Sequence, residues 1–104
     1  MKRYAFDCET DGLVHQLSKL HSLVIEDVDT GEVYSCADQT GYDSIHTGLT
    51  ILSQADVLIG HNIINFDYRA LHKLFPKFKK KKGCITYDTL IVSRVLWPEL
   101  EPID

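Results

Sequence analysis

Apolar positions come in short runs along the first third of the chain and at helical spacing only further on. Residues 3–8 (RYAFDC) have the pattern of a buried strand, and residues 20–28 (LHSLVIEDV), apolar through Leu23-Val24-Ile25, that of a second. Asp29-Thr30-Gly31 is a turn signal, and residues 32–37 (EVYSCA) return as a third strand, which predicts an antiparallel hairpin. The period then changes. Tyr42, Ile45, Leu49 and Leu52 share one helical face, with Asp43 or Ser44 placed to cap its start. Val57-Leu58-Ile59-Gly60 is a continuous apolar run, as expected of a strand covered on both faces. His61-Asn62 leaves that strand, and Phe66, Ala70, Leu71 and Leu74 make an amphipathic helix that Pro76 helps to stop. A lysine-rich loop, Lys77 to Lys82 interrupted by Phe78, ends at Gly83. Ile85-Thr86-Tyr87 offers another strand, and Asp88 caps a last helix through Leu90, Ile91, Val95 and Leu96, broken by Pro98.

The resulting order, β-β-β-α-β-α-β-α, has a hairpin first and alternation afterwards. It predicts an α/β domain with a mixed sheet and helices packed on it. At 104 residues the chain is expected to form one domain, 1–104, large enough to bury a core without staples. With 44% hydrophobic and 25% charged residues it is ordinary globular material. The net charge of −4 is no footprint of bulk nucleic-acid affinity, so a nucleic acid would be engaged locally or through bound cations. Cys8, Cys36 and Cys84 are odd in number and form no CxxC pair, which argues against a zinc site and a secreted disulfide framework. The start of the chain has no signal-peptide pattern, and no stretch has the length of a membrane span. A reduced, cytoplasmic setting is the expectation, with no membrane partner.

Asp7 and Glu9 stand two apart at the end of the first strand. Alternation puts both on one face, roughly 6–7 Å apart along the chain. Carboxylates crowded there repel unless cations sit between them or one is protonated, and hard oxygen ligands suit Mg2+ or Mn2+. A solvated strand end is the plainer explanation of the pair alone.

Asp7-Cys8-Glu9-Thr10 with Gly12-Leu13 resembles the first motif of the DnaQ-like, or DEDD, 3′–5′ exonuclease superfamily, a strand ending in D-x-E-T before a T-G-L turn; Asp11 replaces the usual second threonine. His61-Asn62-Ile63-Ile64-Asn65-Phe66-Asp67, after the apolar run 57–60, resembles its second motif, H-N-x-x-x-F/Y-D. Asp88-Thr89-Leu90 is similar to the exonuclease domain of phage-type family A DNA polymerases. The likeness runs from about Tyr4 to Trp97. It implies an RNase H-like mixed β-sheet flanked by α-helices and a two-metal Mg2+ or Mn2+ site. Asp7 would bridge both metals, Glu9 would bind the one that activates water, and Asp67 would help hold the second. The position of Asp67 alone is equally that of an acid favoured at a helix N-terminus. Thr10, Leu13, Asn62 and Phe66 match positions that line the nucleic-acid groove, although a turn residue at Thr10 and core side chains at Leu13 and Phe66 fit too. Asp88 has the position of a helix cap. His15, His21, His46, His61 and His72 show no metal-ligand spacing. The lysine run is either a phosphate-contacting edge or a solvated loop.

The family's third motif, Y-x-x-x-D or H-x-x-x-x-D, has no counterpart before Asp104; Glu99, Glu101 and Asp104 lie between and beyond Pro98 and Pro102. The expectation is a C-terminally truncated domain that lacks one carboxylate and exposes an apolar patch on its sheet. What the resemblance implies is a weak exonuclease acting on single-stranded DNA 3′ ends in a bacterial or phage-infected cell. It would act alone, as a homo-oligomer or with a completing polymerase or exonuclease chain. The alternative is a non-catalytic nucleic-acid-binding or protein-interaction module.

Overall fold

The computed structural model describes residues 1–96. Five strands form one mixed sheet: β1 (Arg3–Thr10), β2 (Leu20–Asp27), β3 (Val33–Cys36), β4 (Val57–Gly60) and β5 (Ile85–Asp88), in the spatial order β3-β2-β1-β4-β5. β1, β2 and β3 pair antiparallel, whereas β4 lies parallel to β1 and β5 parallel to β4. The hairpin of β2 and β3 closes at Asp27, whose carbonyl accepts from Gly31 N–H at 2.8 Å, with Gly31 at φ +78°. The helices are α1 (Ile45–Ser53), α2 (Tyr68–Leu74) and α3 (Thr89–Leu96). The architecture is the mixed α/β sheet that the chain order predicts, and it is consistent with the RNase H-like sheet that the resemblance implies. Among the described residues no helix is long and apolar enough to cross a membrane. The proline-flanked tail at 98–104, including the predicted helix break at Pro98, lies outside the described residues.

Alternation along the strands sorts the sheet into two unlike faces. On one, Tyr4, Phe6 and Cys8 of β1 meet Leu23 and Ile25 of β2 and Leu58 of β4, and α1 and α2 close over them with Leu49, Leu52 and Leu71. α1 lies very near the sheet: a Cβ on Gly48 would come within 2.7 Å of Leu23 Cδ2 and 2.9 Å of Cys36 Sγ. α2 is pinned by Tyr68, whose ring stacks on Phe6 with centroids 6.0 Å apart and whose hydroxyl pairs with Thr86 Oγ1 at 2.8 Å. The other face carries Asp7 and Glu9 and leaves Val24, Val33, Ile85 and Tyr87 exposed, the last two by 53% and 57%. An exposed apolar surface on the sheet is therefore present among the described residues.

Two expectations need correction. α1 begins at Ile45, capped by Ser44 Oγ, which accepts Thr47 N–H at 3.1 Å; Tyr42, placed on its apolar face by spacing, precedes the helix and is 54% exposed. Tyr42 ends a turn, its N–H donating to Gln39 O at 3.3 Å, and a bridge between Cys36 and Asp43 holds the chain just before the cap. The second predicted helix is not a single α-helix, since residues Ile63–Asp67 form one wide π turn before α2 begins.

Candidate active site

The candidate site sits where β1 outruns its neighbour. Pairing of β1 with β4 ends at Ala5 against Ile59, but β1 continues to Thr10, leaving a free backbone edge at Cys8. The turn after β4 fills that edge. Asn62 takes a left-handed conformation (φ 57°, ψ 31°), and the π turn that follows closes with Tyr68 N–H donating to Ile63 O. The wide turn carries Ile63, fully buried, and Asp67 inward together. Asp67 Oδ2 accepts Cys8 N–H at 3.0 Å, so a side chain replaces the missing strand partner.

Asp67 is 3% exposed. Burial pushes its carboxyl up to about 6; Asp7's negative charge adds to the shift, and the hydrogen bonds from Cys8 oppose it. Asp7 and Glu9 are exposed on the same face of β1, on either side of Cys8 in the chain. The Cys8 thiol is pushed up chiefly by burial and then by the charges of Asp67, Asp7 and Glu9. Asp7 and Glu9 thus flank, along β1, the residue whose backbone N–H Asp67 binds. Their oxygens are the donors Mg2+ or Mn2+ prefers. Among the described residues, however, no three acidic, histidine or cysteine side chains are placed together so as to hold a metal ion. The donor chemistry of the acids suits a divalent cation, but the described side chains do not form a metal site.

The other predicted positions divide. Thr10 Oγ1 donates to Gly12 O at 2.8 Å, tightening the loop that leaves β1. Asp11, standing where the resembled motif has threonine, accepts from Ser18 Oγ, Ser18 N and Lys19 N, and these bonds hold its carboxyl down at about 2. Leu13 is 60% exposed, which rules out a core leucine and leaves an apolar side chain free in that loop. Asn62 supplies the left-handed turn, and its N–H donates to Asp88 Oδ1 at 2.9 Å. Phe66 is half-buried and lies outside the main core. The five histidines are exposed, and His61 Nδ1 meets Thr89 Oγ1 at 2.9 Å.

Asp88 does more than cap one helix. Its Oδ1 accepts from Leu90 N–H at the start of α3 and from Asn62 N–H, while Oδ2 accepts from Ile64 N–H at 3.0 Å. Burial raises its carboxyl, but these backbone donors outweigh it and the net shift is downward. The second role was missed in sequence. Its only signal there is the shared spacing of Gly60-His61-Asn62 and Asp88-Thr89, each at the exit of a parallel strand.

No protein-family model matches the chain, and no curated protein matches it. Among solved structures, the family B DNA polymerase from the hyperthermophilic archaeon Pyrobaculum calidifontis shares the fold, with a TM-score of 0.64 and 15% identity. The likeness covers 86% of this chain and 15% of the polymerase. The fold is one that this polymerase contains. That neighbour is a family B enzyme, not the phage-type family A enzyme to which the motifs are similar.

Proposed function

We propose that the chain is a nuclease module of the metal-dependent 3′–5′ exonuclease type, acting on the 3′ end of single-stranded DNA and releasing nucleoside monophosphates. The observation that carries this reading is that Asp67 binds the backbone N–H of Cys8, the residue between Asp7 and Glu9 at the overhanging end of β1, the three acids lying in two motifs that resemble those of the DnaQ-like exonucleases. The fold shared with part of a DNA polymerase supports it. Asp7, Glu9 and Asp67 would hold Mg2+ or Mn2+, which when bound polarises phosphate oxygens and generates hydroxide near neutral pH. The chain's own residues do the positioning. Cys8 N–H orients Asp67, Asp88 fixes the turn that carries it, and the loop with exposed Leu13 stands ready to contact a terminal nucleotide.

The second reading is a non-catalytic module that binds nucleic acid or another chain through the same strand end. It is favoured by the absence, among the described residues, of any group of three acidic, histidine or cysteine side chains placed to hold a metal ion. Release of nucleotides from a 3′-labelled single strand with Mn2+ separates the two. The exonuclease reading expects release that Asp7→Ala abolishes. No release at high protein and metal, with strand binding retained, would leave the binding module.

A further inference from the structure

Positive charge in this chain is gathered into one place. Of its eleven lysines and arginines, seven lie in residues 69–82, a stretch without aspartate or glutamate. The remaining positions carry four cations against fifteen acids, so a net charge of −4 divides into a segment of +7 and a remainder of −11. Several of these cations are engaged within the fold. Lys80 sits 4.2 Å above the Tyr68 ring, Lys81 pairs with Asp56, and Lys73 Nζ donates to Val14 O.

Lys77 and Lys79 are exposed and line a cleft of about 680 Å³ between α1 and the end of α2. Leu49, Leu74, Phe75, Pro76 and Phe78 make its walls apolar. Along the α1 side, Thr50 Oγ1 donates to His46 O and Ser53 Oγ to Thr50 O, so both hydroxyl protons are committed to their own helix. The cleft opens on the helical side of the sheet, away from the face bearing Asp7 and Glu9.

We propose that this cleft docks an acidic, apolar-anchored segment of a partner protein. Leucine-like or aromatic side chains would fill the cleft while aspartates or glutamates meet Lys77 and Lys79. Its volume is that of an ordinary ligand pocket. An apolar floor with a cationic rim is complementary to such a segment in both shape and sign. A nucleic acid would satisfy the lysines alone: base edges pressed against these walls would lose water without gaining hydrogen-bond partners. The proposal is independent of the nuclease reading and uses none of its residues.

The test is fluorescence anisotropy of the full chain with a short labelled peptide of glutamates carrying leucine or phenylalanine at every third or fourth position. Competitors are a glutamate-only peptide and oligothymidylate. The paired reversal Lys77→Glu with Lys79→Glu removes the rim charge, and Thr50→Trp, at an exposed helix position, fills the cleft; circular dichroism checks the fold of each. Each variant is expected to weaken peptide binding by at least about tenfold, and the glutamate-only peptide to compete poorly. Binding that survives Thr50→Trp, or that oligothymidylate displaces as well as the unlabelled peptide does, would overturn the proposal in favour of a phosphate-binding edge. No peptide binding would overturn it outright.

Discussion

Asp67 and Asp88 are both acids at the start of a helical segment, and their surroundings drive them in opposite directions. Asp67 faces one backbone N–H and the charge of Asp7, so burial dominates and its carboxyl rises to about 6 from 3.8. The fold therefore favours the neutral acid. The stability this contributes is complete below about 3.8 and is lost as pH rises through about 6. Without divalent cations the protein should lose about 2–3 kcal/mol from this group between pH 4 and pH 8. Asp67→Asn, which keeps an acceptor for Cys8 N–H, should flatten that part of the profile in urea midpoints. An unchanged slope in the variant would mean that another group titrates. Asp88 behaves inversely: its lowered carboxyl contributes stability above the ordinary carboxylate value and loses it as pH falls through the lowered one. Alternation in the sequence already put Asp7 and Glu9 on one face. It could not separate Asp67 from Asp88, because that depends on how many donors each meets across the fold.

At the scale of elements, the decisive piece is the π turn between β4 and α2. Gly60 allows it: a Cβ there would stand 2.3 Å from Ile63 Cγ2 and 3.0 Å from the Phe6 carbonyl oxygen. Gly60→Ala should cost about 1–3 kcal/mol, because a backbone atom of β1 blocks relief. Asn62, left-handed, should accept glycine with little change, whereas Asn62→Val should lose about 1–2 kcal/mol or more from strain at positive φ. Chemical denaturation of the three variants checks both statements; equal stability of the glycine and valine variants would contradict the second. The apolar run 57–60 and the periodic residues Ala70, Leu71 and Leu74 made the strand and the helix legible. The widened turn was not, since its extra residue is selected by the fit of Ile63 beneath the sheet and of Asp67 against Cys8. The cap expected at Asp43 or Ser44 is Ser44; Tyr42 has helical spacing but precedes that cap, and Asp43 is held in a bridge to Cys36.

Among the described residues, one face of the sheet holds the core and the other is open. Substitutions should separate the two. Leu23→Ala or Ile25→Ala, both at fully buried positions, should cost about 2–5 kcal/mol, whereas Val33→Lys and Tyr87→Lys should stay within about 0.5 kcal/mol. A large loss at Val33 or Tyr87 in the isolated chain would show that the open face is covered in solution. The sequence by itself determined the α/β class, the order of strands and helices and the common face of Asp7 and Glu9. These follow from periodicity and turn chemistry, which act between residues near in the chain. It did not show that Val24 and Ile59 face the open side of the sheet. Only the tertiary structure decided that β1 overhangs β4, that Asp67 fills the vacant edge at Cys8, that Asp88 ties two segments together and that Lys77 and Lys79 flank an apolar cleft. Each joins residues distant in sequence, and their burial and hydrogen-bond partners exist only once the sheet has brought those segments together.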